Sequence, residues 1–142
     1  MSKPSVAVVA GATGAVGHWL VKELMEDPNI DRVVALVRRP NVTPEHPKVT
    51  ELLLSGDNAS DFERLPRDAD VVFSCVGTTI KKAGSDEAFK KTDYTFNTEL
   101  ASAARNIGVP QFHLVSSIGA DATSSFLYPR VKGQVEEYVR TA

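Results

Sequence analysis

Tyr128 and Lys132 have the spacing of an acid–base pair carried by one helix. Residues four positions apart face the same side of an α-helix, so a helix through this segment would bring the phenol and the ammonium together. An ammonium stabilises the phenolate form of a nearby tyrosine, which lets the phenol exchange a proton near neutral pH. Ser116 and Ser117 lie shortly upstream, where a hydroxyl could hold and polarise a carbonyl group. These residue types predict proton transfer to or from a carbonyl compound.

A glycine-rich segment, GATGAVG, follows the first apolar run and opens the first helix-like stretch. Glycine permits positive φ and lets the backbone approach a pyrophosphate closely, and the N-terminus of the next helix offers free N–H groups. The spacing is G-x-x-G-x-x-G, and a purely structural turn is the alternative. Its place between a strand and a helix predicts dinucleotide binding. We expect the nucleotide to contact Gly11, Thr13, Gly14, Ala15, Val16 and Gly17.

The end of the second apolar run indicates which dinucleotide binds. Enzymes that use NAD usually place an Asp or Glu there to hold the ribose 2′-OH. This run ends at Val37 and is followed by Arg38 and Arg39, with no carboxylate among them. Two guanidiniums suit a 2′-phosphate, which they can bind in bidentate fashion. The pair predicts NADP(H) as cofactor, and a solvated arginine pair is the alternative.

Further candidate contacts follow the third and fourth apolar runs, since ligands of open α/β sheets lie at the carboxyl ends of strands. Asp57 could accept a hydrogen bond from the adenine amino group. Cys75 and the backbone of Val76 and Gly77 could line the ribose, and Lys132 could donate to the nicotinamide ribose. An ordinary turn is the alternative after each run.

The elements that must position these residues alternate between short apolar runs and longer amphipathic stretches, which predicts an α/β fold with a doubly wound parallel sheet. A capping box, SDFE from Ser60, predicts a short helix starting there. Trp19 is expected to pack on the sheet. The predicted strands are Ser5–Ala10, Arg32–Val37, Val49–Leu54, Ala69–Val76 and Gln111–Ser116, and the main predicted helices are His18–Glu26, Glu87–Ile107 and Pro129–Arg140.

Several segments together resemble the extended or atypical short-chain dehydrogenases/reductases, most closely the Tat-interacting-protein type. They are GATGAVG, LVRR, CVGTT with the nearby KAG, and VSSIGAD followed by SSFLYPRVKGQVE, and they extend over most of the chain. The resemblance implies an NADPH-binding Rossmann fold. It also implies that Tyr128 is the catalytic acid, Lys132 its helper and Ser117 the serine that holds the carbonyl, with Ser116 as the alternative. Asn97 matches an asparagine that shapes the site, or is a solvated helix residue.

The length of 142 residues suits one domain, which we interpret as a dinucleotide-binding domain over residues 1–142. Dinucleotide folds of this kind usually have six strands and about five are expected here, so we expect the N-terminal part of a longer chain. The resemblance also implies a segment that closes over the substrate, which would then be absent. The last helix would leave an apolar edge of the sheet uncovered.

Composition and charge argue against several classes of function. The 16 Lys and Arg against 18 Asp and Glu give a net charge of -2, which argues against nucleic-acid binding. No apolar run approaches the roughly 20 residues that span a bilayer, and no secretory signal precedes the first run. Cys75 is the single cysteine and the three histidines share no ligand spacing, so no metal is expected. We expect a cytoplasmic protein.

The leading hypothesis is an NADPH-dependent oxidoreductase that acts on a small carbonyl or alcohol substrate. The alternative is an NADPH-binding sensor or regulatory module that acts through a protein partner without turnover, since fold does not settle function. An intact Ser–Tyr–Lys set favours chemistry. The sequence leaves open the substrate and the oligomeric state, with a homodimer as one possibility.

Overall fold

A five-stranded parallel sheet forms the centre of the computed structural model, which describes residues 5–76, 83–115, 120 and 122–141. The strand order is β3-β2-β1-β4-β5. This is the order of the first five strands of a doubly wound dinucleotide-binding sheet, so the predicted fold class is confirmed. The strands are β1 (Ser5–Ala10), β2 (Ile30–Val37), β3 (Val49–Leu53), β4 (Val71–Ser74) and β5 (Gln111–Leu114).

Helices connect the strands and lie on both faces of the sheet. A π-helical segment, Lys91–Phe96, joins α3 to α4, and the backbone stays helical through both junctions. The stretch from Asp86 to Asn106 is therefore one continuous helix, as predicted, but its π-helical middle was not foreseen. Such segments occur frequently at functional sites. The α-helices are α1 (Ala15–Glu26), α2 (Asn58–Phe62), α3 (Asp86–Lys90), α4 (Asn97–Asn106) and α5 (Leu127–Thr141).

The core consists of one apolar cluster on each face of the sheet. Val8 of β1 belongs to the same cluster as Phe62 of α2 and Leu100 of α4. Its neighbour Val9 belongs to the opposite cluster, with Val21 of α1. Alternate residues of a strand point to opposite faces, so β1 is buried from both sides, which is typical of parallel sheets.

The prediction that Trp19 packs on the sheet is wrong. Its side chain is 63% exposed, and Lys22 Nζ lies 5.0 Å from the centre of its ring. Helix α1 instead packs through Gly17, Val21 and Leu24. Because Trp19 is two positions from Gly17, helical geometry turns it to the opposite side.

The capping box predicted at Ser60 is also wrong. Helix α2 begins at Asn58, and the Ser60 hydroxyl lies inside it, donating to Asp57 Oδ2 over 3.1 Å. Asp61 is buried and accepts hydrogen bonds from the backbone N–H groups of Ser55 and Gly56. These bonds fix the turn after β3, so the helix starts earlier than the sequence pattern indicated.

Strand β5 forms an edge of the sheet in the described part of the chain. It pairs with β4 in parallel register from Val71↔Gln111 to Ser74↔Leu114, and its residues alternate between exposed and half-buried. Val115, directly after β5, is 41% exposed, and Phe126, just before α5, is 75% exposed. Among the described helices, none combines the length and apolar character needed to cross a membrane.

Candidate functional site

A cleft of about 550 Å³ opens at the carboxyl ends of β1, β2 and β4. Ligands of open α/β sheets bind at this edge. We call it the glycine-loop cleft. Its described walls comprise the loop after β1 (Gly11, Ala12, Thr13 and Gly14), residues at the end of β2 and after it (Leu36, Val37, Arg38, Arg39 and Val42), Leu54 after β3, Cys75 and Val76 after β4, and Ala83, Ala88, Thr92 and Phe96 around the long helix.

Two glycines of the loop are required by close packing within the protein. Gly11 has φ 73°, and a Cβ there would lie 2.7 Å from the carbonyl of Cys75. A Cβ on Gly17 would lie 2.0 Å from the carbonyl oxygen of Gly11, which no side chain could tolerate. These glycines seat the loop against β4 and seat α1 against the loop.

Gly14 has a different role, because it borders the open space of the cleft. A Cβ there would find its nearest neighbour, the Gly11 carbonyl oxygen, at 3.5 Å. The first N–H of α1 that bonds to backbone is that of His18, to Gly14 at 2.9 Å. The preceding N–H groups, including those of Ala15 and Val16 at exposed positions, are the usual unpaired donors of a helix start. Donors in this position suit an anionic pyrophosphate, and contact of the loop with the nucleotide stays a prediction.

Arg38 and Arg39 lie on the wall of the cleft that β2 supplies. Both side chains are exposed, and neither guanidinium forms an ion pair with any described residue. By contrast, Arg32 pairs with Asp68 and Arg64 pairs with Asp61. The arginines predicted from the strand exit are thus placed together and left available for an anion.

The structure does not bring Asp57 to this cleft. Its carboxylate is exposed at the start of α2 and borders a separate surface cavity of about 580 Å³. A cavity of about 440 Å³ that shares Arg38 with the glycine-loop cleft is lined instead by Ser55, Gly56 and Asp61. Burial opposes ionisation of Asp61, but hydrogen bonds from Ser55, Arg64 and Gly56 outweigh it and keep the pKa of Asp61 below its usual value. Asp61 orders this wall, a role that the sequence analysis missed.

Cys75 and Val76 line the cleft, and their contact with a ribose stays a prediction, while Gly77 lies outside the described residues. Cys75 is half-buried, and burial raises the pKa of its thiol. A raised pKa disfavours the reactive thiolate. Cys75 therefore contributes to the wall rather than to nucleophilic chemistry.

Tyr128 and Lys132 share one face of α5, as their spacing predicted. The Lys132 ammonium lies 5.5 Å from the centre of the Tyr128 ring. That ring stacks on Phe89 of α3, with centres 5.5 Å apart and planes inclined by 24°. Neither residue is among the described lining of the glycine-loop cleft. Ser116 and Ser117 lie outside the described residues, so their relation to the pair stays a prediction.

Asp93, which the sequence analysis did not consider, forms a buried ion pair with Lys132. Asp93 is 0% exposed and Lys132 is 7% exposed. The sequence does contain a feature that could have indicated this ion pair. Asp93 lies at helical spacing ahead of Asn97, Leu100 and Ala104, so it falls on the face of the helix that carries the apolar residues Leu100 and Ala104. A charged residue on such a face requires a buried partner.

Asn97 connects this ion pair to the sheet. Its side-chain amide donates to the carbonyl oxygens of Asp93 over 2.9 Å and of Val76 over 3.2 Å. Its amide oxygen accepts from the Ser74 hydroxyl. Asn97 is buried, so the interpretation as a solvated helix residue is wrong. The network joins the π-helical segment to the end of β4 at the cleft.

Comparison with protein families identifies the class to which this fold and cleft belong. A family model described as NAD(P)H-binding matches residues 11–142, and the chain belongs to this family. "Protein FMP52-1, mitochondrial" from Scheffersomyces stipitis is 44% identical over 132 residues, which cover 92% of this chain and 58% of that protein. The chain thus spans less than two thirds of the length of this curated relative.

Solved structures agree on the fold. The Bordetella bronchiseptica enzyme WbmF in complex with NAD⁺ superposes with a TM-score of 0.79 at 18% identity, covering 96% of this chain and 45% of WbmF. Uronate dehydrogenase from Agrobacterium tumefaciens superposes with a TM-score of 0.77 at 20% identity, covering 99% of this chain and 56% of that enzyme. At these identities the likeness establishes the Rossmann-like fold alone.

The expectation of a cytoplasmic protein is wrong, because curated relatives matched by the chain are named as mitochondrial proteins. The expectation rested on finding no secretory signal and no long apolar run. Those features do not separate the cytoplasm from the mitochondrion.

Proposed function

We propose that this NAD(P)H-binding domain belongs to an NADPH-dependent oxidoreductase that interconverts a small carbonyl compound and its alcohol. The observation that carries the choice of NADPH is the arginine pair. Arg38 and Arg39 are exposed on the wall of the glycine-loop cleft and form no ion pair within the described residues. Guanidiniums so placed suit the 2′-phosphate that distinguishes NADPH from NADH.

The loop and helix would hold the rest of the nucleotide. The N–H groups at the start of α1 would face the pyrophosphate, next to Gly14, where the backbone can be approached closely. Cys75 and Val76 would border a ribose at the end of β4. When bound, the nicotinamide ring supplies or accepts the hydride.

Tyr128 and Lys132 would supply the proton. In the reducing direction the Tyr128 phenol would donate its proton to the substrate carbonyl oxygen, while the Lys132 ammonium stabilises the phenolate left behind. Asp93 holds that ammonium in place. Ser117 would hydrogen-bond the carbonyl, with Ser116 as the alternative. These roles, with the quoted sequence segments, favour the extended or atypical short-chain dehydrogenases/reductases of the Tat-interacting-protein type.

A sensor that binds NADPH without turnover and signals to a protein partner is the second candidate. One observation favours it: neither Tyr128 nor Lys132 is among the described residues that line the cleft, and the Lys132 ammonium is already paired with Asp93. A binding domain would need only the loop and the arginines.

The names of the relatives also support a mitochondrial location for this protein. Imaging of the tagged protein beside a mitochondrial marker tests this proposal. Coincidence of the two signals is the expected result, and a diffuse signal throughout the cytosol would contradict it.

Oxidation of NADPH in the presence of a panel of aldehydes and ketones tests the enzyme proposal. In the intact protein that contains this domain, we expect turnover by the parent and its loss in Tyr128→Phe, with the dissociation constant of NADPH unchanged within about twofold because no phosphate contact is altered. Tyr94→Phe is the matched control, since Tyr94 is an exposed tyrosine on the π-helical segment. Turnover retained in Tyr128→Phe would refute the role of Tyr128. Tight NADPH binding without turnover across the panel would favour the sensor.

A further inference from the structure

Glu51 on β3 holds the loop that follows β2. Its carboxylate accepts hydrogen bonds from three consecutive backbone N–H groups, those of Asn41 (2.7 Å), Val42 (2.9 Å) and Thr43 (2.9 Å). The Thr43 hydroxyl donates a fourth bond over 2.7 Å. One side chain therefore fixes three successive peptide units of the loop.

The loop backbone is curled around this carboxylate. Consecutive N–H groups converge on one anion when the chain takes up a left-handed conformation beside a right-handed one. Asn41 has φ 59°, the one positive φ among the described non-glycine residues. The Thr43 hydroxyl lowers the pKa of Glu51 to about 2, against an opposing contribution from burial and together with the three backbone N–H groups. The carboxylate is therefore charged at physiological pH.

This loop is part of the glycine-loop cleft. It starts with Arg38 and Arg39 at the end of β2, and Val42 lines the same cleft. The loop thus touches the cleft at both ends of a five-residue stretch, residues 38–42. Glu51 is anchored in the sheet, where it pairs with Ala35 of β2. It ties the far end of the stretch to a rigid element.

We infer that Glu51 is a specificity-determining positioning residue, which fixes the loop so that Arg38 and Arg39 face the 2′-phosphate of NADPH. It does not itself contact the nucleotide. The inference rests on the proposed function, because it assumes that the arginines bind this phosphate. Without the bonds to Glu51, the backbone that follows Arg38 and Arg39 would be held less firmly, and the arginines would be less well ordered at the cleft.

A simple charge effect of Glu51 would have the opposite sign. A carboxylate close to a phosphate site repels the phosphate, so removing its charge alone would tighten NADPH binding. Loss of a positioning residue would weaken NADPH binding instead. The direction in which NADPH affinity changes when Glu51 is substituted therefore distinguishes a positioning role from a charge effect.

Glu51→Gln is the informative variant, because it keeps the size of the side chain but turns one acceptor oxygen into a donor that faces N–H groups. Calorimetric titration should show NADPH binding weakened by about fivefold to twentyfold, which corresponds to about 1–2 kcal/mol of binding free energy. NADH binding should stay within about twofold of the parent, since NADH lacks the 2′-phosphate. The ratio of the two affinities is a readout that general destabilisation would not move.

Glu45→Gln is the matched control. Glu45 is exposed on the same loop, and its substitution removes the same charge without touching the hydrogen bonds to Glu51. It should leave NADPH affinity unchanged or slightly higher. Thr43→Val removes one donor and keeps the charge of Glu51, so it should weaken NADPH binding in the same direction by a smaller factor. It carries the test if Glu51→Gln does not fold.

Two results would overturn the inference. If the parent prefers NADPH and Glu51→Gln, or Thr43→Val in its place, binds NADPH as tightly as the parent or more tightly, the role of Glu51 is wrong and the arginine site stands. If the parent binds NADPH no more tightly than NADH, the arginine site and the role of Glu51 are both wrong.

Discussion

Lys132 on α5 and Asp93 on the π-helical segment form a buried ion pair that joins the last helix to the helix over the cleft. Asn97 binds the backbone carbonyl of Asp93 and reaches the end of β4 through Val76. The Tyr128 ring lies beside the same ammonium. The ion pair therefore fixes the charged group on which the proposed chemistry of Tyr128 depends.

Breaking this pair should destabilise the protein strongly. In Asp93→Asn the Lys132 ammonium stays buried without its carboxylate, and we expect the free energy of unfolding to fall by about 3–5 kcal/mol. Urea denaturation measures this change. Adding Lys132→Met should recover much of the loss, because no uncompensated charge then remains.

The exposed pair between Arg32 and Asp68 provides the control for the buried one. The two side chains are 43% and 65% exposed, so Asp68→Asn should cost less than about 1 kcal/mol. Equal effects of Asp93→Asn and Asp68→Asn would contradict the assignment of a buried, fully compensated pair.

The loop glycines should separate stability from nucleotide binding. Gly17→Ala places a Cβ 2.0 Å from the Gly11 carbonyl oxygen and should lower the free energy of unfolding by at least about 2 kcal/mol. Gly14→Ala meets no atom closer than 3.5 Å and should cost under about 1 kcal/mol as a changed helix cap. It should still weaken NADPH binding by about tenfold, because its Cβ occupies the approach of the pyrophosphate. Thermal unfolding measures the change in stability, and calorimetry measures the change in NADPH affinity. A Gly17→Ala variant as stable as the parent would contradict the close packing of Gly17 against Gly11.

Stability should depend on the protonation of Glu51. Its pKa lies at about 2 in the folded protein and near the usual 4.5 when unfolded, so its contribution to stability is complete above about pH 5. The contribution is lost as pH falls from 4.5 towards 2, because protonation removes the charge of the carboxylate and turns one of its acceptor oxygens into a donor. Urea denaturation at a series of pH values should show the gap between the parent and Glu51→Gln shrinking over this range. A gap that does not vary with pH would contradict the account of the loop.

The sheet and the glycine loop could be predicted because their signals are local. The run SVAVVA reads as a strand buried on both faces, and the glycine motif follows it directly. The spacing of apolar residues was a poor guide to which face of α1 packs on the sheet. Trp19 suggested a packed face, whereas the small Gly17 beside the loop decides which side of α1 faces the sheet.

The supporting contacts of the site could not be predicted, because they join distant parts of the chain. Asp93 and Lys132 are separated by 39 positions and meet only when α5 packs on the long helix. In the sequence Glu51 resembles any polar residue of a strand. Its hydrogen bonds depend on the backbone conformation of a loop that precedes it in the chain. The pairing of Tyr128 with Lys132 could be predicted from their spacing, but the sequence did not show that neither residue is among the described lining of the cleft.

Calorimetric titration of the parent protein with NADPH and NADH at low and high salt tests the central claim most directly. An exposed arginine pair contributes about 1–3 kcal/mol through charge-assisted bonds, so NADPH should bind about fivefold to a hundredfold more tightly than NADH at low salt. The preference should shrink as salt rises, because exposed charges are screened. In Arg38→Asp the preference should fall or reverse. Equal affinity for NADH and NADPH at low salt would contradict the claim that Arg38 and Arg39 form a site for the 2′-phosphate.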